Sequence, residues 1–500
     1  MKHLDLELEV LSPVHVGTGD SLDPMSYLMR EEDGTPYCYT VDTAAWIGHH
    51  PDPEGLAERF AKSELPAIRA MVAQELDPRA FGTARSKVAS RDVFETYRKE
   101  MASQASRTSL LIGPNLRNQA NQAPLVPGSS LKGAMRTAVI DYLDQEQGLG
   151  LKAAARRGKN GYTKALQRAL GSIQDDAFKM LKVGDFEAPV DTSLVVRAQE
   201  ISLNPDKQAT PKAPCEVLAS MCLSGSGNSF AWHLYGRASL GDHQSELLVI
   251  NQGHFRASWD WNALADLVSR FYLSRYEKEI SKFYSSGIHH DTGDYLRKVL
   301  GPVIEARSQG EMFLRVGHYS HIECMTITDN NPQSSKGYGK TRTLADGFYP
   351  FGWVKLSPCP GERHQEGTAR KRKHDQRQIE ARLALRNQAA RELEERRRQQ
   401  EELKEAQRRA EEEGAKREAE LEAMPPDERH LKQLQDGQLS EQDMVVKLYR
   451  RLDEMEEDLR KRVALALKDY WQEHGKWGKK KKHNKRQQLK VQKIKEILGE

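Results

Sequence analysis

Pro127-Gly128-Ser129-Ser130-Leu131-Lys132-Gly133 is the stretch on which the reading of this 500-residue chain turns. Turn formers precede it, Asn121-Gln122-Ala123-Pro124, followed by the apolar pair Leu125-Val126. After it, Ala134, Met135, Ala138, Val139, Tyr142 and Leu143 recur at three- and four-residue steps, which predicts a helix with one buried face. The stretch therefore reads as an extended approach, a glycine turn and a helix N-terminus that Ser129 or Ser130 can cap. Unpaired N–H groups and the helix dipole favour an anion such as phosphate there. Lys132 and Arg136, four residues apart, add positive charge. An ordinary capped helix with two surface cations fits the same residues. Nucleotide hydrolysis is not expected, because a phosphate loop needs Ser or Thr after Gly-Lys and here Lys132-Gly133 leads to Ala134.

Charged residues make up 30% of the chain and hydrophobic residues 38%, yet the net charge is only +4. Nucleic-acid binding must then come from local basic surface. The cysteines Cys38, Cys215, Cys222, Cys324 and Cys359 form no Cys-x-x-Cys pair, which points to reduced thiols and neither a disulfide framework nor a zinc site. Met1–Val10 has no apolar signal-peptide core, and no stretch is apolar enough to span a bilayer. A soluble, cytoplasmic protein without cofactor, metal or membrane partner is expected.

Leu4, Leu6, Leu8 and Val10 alternate with Asp5, Glu7 and Glu9, a period-two strand with one buried face. It runs into Pro13-Val14-His15-Val16-Gly17-Thr18-Gly19, where glycine permits close backbone approach. Asp42 is a helix cap, and residues 51–105 read as mostly helical, broken by prolines. Arg156-Arg157-Gly158-Lys159-Asn160-Gly161-Tyr162-Thr163-Lys164 is a basic loop beside an aromatic, suited to single-stranded nucleic acid or to solvent alone. Strands are expected at Leu181–Phe186, Leu194–Arg197, Cys215–Leu218 and Phe230–Leu234, the last two joined by a turn at 224–229. Trp259–Lys282 is an amphipathic helix. His289-His290-Asp291 lacks the further ligands a metal-dependent phosphohydrolase needs and reads as a helix lead-in. Met312–Gly317 is a strand into glycine. Lys336-Gly337-Tyr338-Gly339-Lys340-Thr341-Arg342-Thr343 sets cations and a ring on a glycine loop, a pattern suited to a phosphodiester chain. Tyr349–Leu356 closes the globular part.

Six of these stretches together resemble the RAMP superfamily of CRISPR–Cas effector proteins. Pro-Val-His-Val-Gly-Thr-Gly after the first strand resembles its first motif, and Pro-Gly-Ser-Ser-Leu-Lys-Gly-x-x-Arg its central one. Val183-Gly184-Asp185 stands where the family has Val-Ser-Asp. Leu-Arg-Val-Gly, Lys-Thr-Arg and Pro-Phe-Gly-Trp-Val resemble the C-terminal part of the fifth Csm subunit of type III-A complexes. The resemblance covers roughly residues 1–358. It implies an α+β fold of two ferredoxin-like, RRM-like domains: residues 1–240 with helical insertions, and a degenerate copy at 241–358. It further implies binding of crRNA in a Csm ribonucleoprotein that also holds target RNA and other Csm subunits. In that role the chain caps the backbone filament at the crRNA 3′ side and supports crRNA maturation and antiviral defence, without a nuclease centre of its own. The expected RNA contacts are His15, Gly17, Gly19, Gly128, Ser129, Ser130, Lys132, Arg136, Lys336, Lys340 and Arg342. The alternative is a RAMP endoribonuclease acting on target or precursor RNA, with Asp23 as a metal-supporting carboxylate or His15 as general acid or base.

The resemblance does not reach beyond residue 358. Residues 359–435 read as a charged helical linker, because acids and bases interleave at three- and four-residue steps. Pro425-Pro426 breaks it. In 436–500, Ser440 opens a capping box. Val445, Leu448, Leu452, Met455 and Leu459 then form an apolar stripe that must dock on its own chain or on a partner. A polybasic tail around Lys479–Lys482 follows.

Overall fold

The computed structural model describes residues 2–103, 110–158, 160–204, 207–219, 233–240, 247–285, 287–328, 339–477 and 485–500. The alternating leucines form a strand, Lys2–Val10, with Leu6, Leu8 and Val10 buried. It is the middle of a five-stranded antiparallel sheet. On one side lie Trp353–Pro358 and, at the edge, Met312–Arg315; on the other lie His233–Leu240 and Lys182–Val183. The helices Gly128–Glu146 and Trp261–Phe283 pack on its apolar face through Leu131, Met135, Val139, Leu264 and Val268. With the edge strand Met312–Arg315 set aside as an addition, strand, helix, strand, strand, helix, strand make one βαββαβ unit whose closing strand, Trp353–Pro358, lies beside its first.

That unit runs across residue 240. Segment 241–358 supplies the second helix and the closing strand of the sheet that the N-terminus begins, so the two expected domains share one core. The expected hairpin between Cys215–Leu218 and Phe230–Leu234 is replaced by pairing in two sheets. Thr210–Val217 lies on Leu194–Ser202, while His233–Leu240 lies on Lys2–Val10, where Leu234 and Ala238 complete the leucine face. The turn at 224–229 is outside the described residues.

A second, seven-stranded sheet is built from the insertions: Tyr27–Glu32, Thr35–Val41, Gly82–Val88, Leu194–Ser202, Thr341–Ala345 and Tyr349–Pro350, with Thr210–Val217 on the fourth of these. Its pair Gly82–Val88 and Leu194–Ser202 is parallel. Within the stretch read as helical, Pro53, Pro66 and Pro78 open helices in their first turn, where a missing N–H costs nothing. Asp42 caps its helix by accepting from the Ala45 N–H.

The acidic face of the first strand is covered. Arg237 meets Asp5 at 2.6 Å, Lys355 meets Glu9 at 3.1 Å, and Arg363 meets Glu7 at 2.8 Å. Arg363 belongs to a 63-residue helix, Gly361–Ala423. Its His364 packs edge-on to Tyr235, and a Cβ at Gly367 would come within 2.0 Å of that ring. Further along, Lys371 meets Glu187 at 2.9 Å, Asp375 accepts from the Val190 N–H at 2.9 Å, and Arg382 pairs with Asp191.

The chain divides into two compact units, Met1–Glu394 and Glu395–Glu500. In the second, the long helix stops before Pro425, and Ser440 caps the helix Glu441–Lys447 by accepting from the Asp443 N–H. Leu448, Leu452 and Met455 of the apolar stripe join Leu431, Leu434, Val463, Leu467, Trp471 and Ile494 in one small core. The stripe thus docks on its own chain, and that core begins within the segment read as a linker. Lys479–Lys482 lies outside the described residues. No helix among the described residues is long and apolar enough to cross a membrane.

Candidate nucleic-acid interface

Three of the glycine loops meet in one cleft of about 710 Å³ in the first unit. The loop after the first strand brings His15, Gly17, Gly19 and Asp20. The central helix brings Ser130, Gly133 and Thr137, a single face at steps of three and four. The turn after Met312–Arg315 brings Gly317, His318 and Tyr319.

His15 is the buried centre of this convergence. Its Nδ1–H donates to the Glu216 carbonyl oxygen at 2.7 Å, and its ring stacks on Tyr319 with centroids 5.9 Å apart. Burial pushes its pKa down, with His318 adding to the shift, so the imidazole is neutral at ordinary pH. The backbone around it is fitted closely: a Cβ at Gly17 would lie 2.9 Å from His15 Nε2, and one at Gly317 (φ +94°) 2.5 Å from the His15 carbonyl oxygen. These glycines are required by packing. Gly19 and Gly133 differ, since nothing lies within 4 Å of the Cβ each lacks. They are where a ligand can approach main chain. His318 is exposed at the rim, with its ring edge-on to Tyr319 at 4.7 Å.

The helix N-terminus is already occupied. Asp185 accepts from the Gly128 N–H at 2.8 Å, and Gly128 is glycine because a Cβ would meet the Val183 carbonyl oxygen at 2.0 Å. Pro127 is the cap residue and its own side chain makes no capping hydrogen bond, so neither Ser129 nor Ser130 holds the cap position. A carboxylate of this chain takes the place expected for a phosphate. Ser129 is exposed in the first turn, while Ser130 faces the cleft. Lys132 and Arg136 are not among the cleft-lining residues. Arg136 forms a two-point pair with Asp176 (both contacts 2.7 Å) over the Phe178 ring, and Lys132 lies near the same aspartate, with Lys182 close to Lys132.

Arg342 is buried. It meets Glu279 and Glu323 at 3.0 Å each, while Arg315 meets the same Glu279 at 2.6 Å. Burial works against the Glu279 carboxylate, but Arg315 and Arg342 outweigh it and hold the pKa down to about 2. Beside them, burial and then Arg315 push His321 down to about 3. Arg342 is therefore a structural cation, a correction to the expected RNA contact. Lys340 is exposed, and Lys336 lies outside the described residues. Asp23 accepts from Arg69 at 2.8 Å and from the Met25 N–H at 2.9 Å, away from the cleft. No cluster of His, Cys, Asp or Glu able to hold a metal is found among the described residues. Cys38, Cys215, Cys324 and Cys359 are free thiols.

Sequence reasoning missed His318, Tyr319 and Glu216. The Glu216 carboxylate accepts from Arg117, Ser86 and the Asn115 N–H, and Asn115 in turn holds the Val16 N–H. Its signal was an acid standing among buried neighbours, Cys215, Val217 and Leu218. For His318-Tyr319, the signal was a second strand-into-glycine junction, Met312–Gly317, like the one that runs from the first strand through His15 to Gly17.

No curated protein matches the chain. Among solved structures, a chain of a type III-A CRISPR–Cas Csm–crRNA–target RNA ternary complex is similar at 19% identity and TM-score 0.45, covering 71% of this chain and 100% of that one. A crystal structure of T. onnurineus Csm5 is similar at 18% identity and TM-score 0.40, covering 70% and 99%. From the first strand, through the His15 loop and the central helix, to the strand beginning at Leu194, residues 7–197 match the family model of the RAMP superfamily.

Proposed function

We propose that the chain is a crRNA-binding RAMP subunit of a type III-A Csm complex, capping the backbone filament at the crRNA 3′ side and supporting crRNA maturation. Its partners are crRNA, target RNA in the assembled complex, and other Csm subunits. The observation that carries this reading is the cleft. It joins the two motif loops of the RAMP-matching segment to His318-Tyr319, with open backbone at Gly19 and Gly133. Open main chain and ring faces suit a single strand whose bases are unstacked. The outer face of an RRM-like sheet is the common alternative for stacking bases. Here the helix from Gly361 lies over it, which favours the cleft.

The test is crRNA binding by the full chain. His318→Ala removes an exposed ring, and Gly133→Trp fills the cleft from an unobstructed helix position. Each is expected to weaken binding about ten- to a hundredfold, the size of one lost base–aromatic stack. Wild-type affinity in both variants would remove the cleft from the reading.

One observation favours the ribonuclease alternative: His15 lines the cleft and is held neutral, the state a general base requires. Asp23 gains no comparable support. RNA cleavage by purified protein, lost on His15→Ala but kept in His318→Ala, would establish that alternative over binding alone.

A further inference from the structure

Residues 147–174 contain six Lys or Arg and no Asp or Glu, in a chain where the two signs otherwise nearly balance. They fold as two short packed helices, Leu151–Arg156 and Gly161–Leu170. The packing is tight, since a Cβ at Gly161 would come within 1.9 Å of the Ala154 carbonyl oxygen. Leu151, Ala154, Ala165, Ala169 and Leu170 are buried in the main core and fix the pair as a platform. Lys152, Arg156, Arg157, Lys164 and Arg168 are all exposed. None of the five has a carboxylate partner within ion-pair distance among the described residues.

The spacing sharpens the point. Lys152 and Arg156 are four apart on one helix, as are Lys164 and Arg168 on the other, so each helix presents two like charges on one face. Such pairs cost an isolated helix about 0.2–0.5 kcal/mol each. Elsewhere this chain answers its exposed cations at the same spacing, as in Arg370–Glu366, Arg397–Glu401 and Lys461–Glu457. The exposed positions between the cations, Ala153 and Ala155, are small and let an extended ligand lie close. A membrane surface would require an outward apolar face, but the leucines of these helices point into the core.

We infer that the helical pair 151–170 is a second, sequence-blind contact for single-stranded RNA, gripping the phosphodiester backbone through Lys152, Arg156, Arg157, Lys164 and Arg168. It deepens the RNA-binding reading of the protein but rests on residues separate from the cleft. Its contribution is charge alone, so it is read from the salt dependence of binding.

The experiment measures affinity of the full chain for a 30-nucleotide oligouridylate across a salt series, with polyglutamate as competitor. Changing all five residues to Gln is expected to weaken binding more than tenfold near 0.1 M salt and to flatten the slope of log K against log salt by about 3.5, at ~0.7 per phosphate. Lys164→Gln with Arg168→Gln alone is expected to flatten it by about 1.4, and serves if the fivefold variant does not fold. His318→Ala should lower affinity with the slope kept. An unchanged slope in the folded Gln variants overturns the inference while leaving the cleft reading intact. So does polyglutamate displacing RNA as well as RNA itself, which would mark the surface as one for an acidic protein. Loss of affinity in His318→Ala with an unchanged slope in the Gln variants separates the two readings in the opposite sense to the reverse result.

Discussion

Charge is used in opposite ways in the two compact units. In Met1–Glu394 the decisive charges are buried and shared: Glu279 serves Arg315 and Arg342, and Glu216 serves Arg117, Ser86 and the Asn115 N–H. In Glu395–Glu500 the charges mostly face solvent, several of them paired one helical turn apart, such as Arg397–Glu401 and Lys461–Glu457, and the fold rests on a small apolar core. Cations that look alike in sequence therefore differ in kind. An arginine in a glycine loop of the first unit can be a structural part, whereas one on the second unit's helices is mostly a solvated face. Breaking a buried pair leaves an uncompensated charge and costs about 3–5 kcal/mol, while an exposed helix pair is worth about 0.3–0.5.

The largest effect is expected at Glu279. Glu279→Ala strands Arg315, which is fully buried, and should destabilise the first unit by about 3–5 kcal/mol in denaturant unfolding. The same group gives a pH signature. Its pKa is depressed from 4.5 to about 2 on folding, so its stabilisation is complete above the unfolded value and is lost as pH falls through the folded one. Wild type should therefore lose stability between about pH 4.5 and 2, and Glu279→Gln should lose less across that window. Equal acid sensitivity in both would remove the buried triad from the comparison. Trp471→Ala is the counterpart in the second unit. Trp471 is fully buried, and its loss should cost about 3–5 kcal/mol and shift only the transition of that unit, read by calorimetry. A joint shift of both transitions would break the separation.

Next in size is Gly317→Ala. At φ +94° with a Cβ position 2.5 Å from the His15 carbonyl oxygen, any side chain is strained. A cost of about 1–3 kcal/mol is expected, together with weaker RNA binding as the His15–Tyr319 stack is disturbed. Gly133→Ala, where space is open, should leave stability near wild type.

Periodicity made the elements legible. The alternation from Leu4 to Val10, the three- and four-residue steps after Lys132, and the caps at Asp42 and Ser440 all predicted what formed, because each is a local choice of burial or hydrogen bonding. Partnership was not local. Nothing near Gly128 announced that Asp185 would fill its helix N-terminus, and nothing near Arg342 announced Glu279, 63 residues away. The sheet that crosses residue 240 was hidden for the same reason, since strand order depends on which apolar faces match across hundreds of residues. The glycines were found, but their division into packing positions (Gly17, Gly128) and open ones (Gly19, Gly133) depends on what lies opposite each.

The smallest effect makes the sharpest contrast. Arg397 and Glu401 lie 3.1 Å apart at consecutive turns of the long helix, yet more than half of each side chain is exposed. Water and salt already solvate both, so the pair gains little and loses side-chain freedom on forming. A double-mutant cycle with Arg397→Ala and Glu401→Ala should return a coupling of about 0.3–0.5 kcal/mol, falling toward zero at 1 M salt, where the screening length is only ~3 Å. The same cycle on Arg315 and Glu279 should return several times more and change little with salt, because no ion reaches a pair buried on both sides. A large, salt-resistant coupling at Arg397–Glu401 would mean that the exposed helix is held by something beyond its own turns.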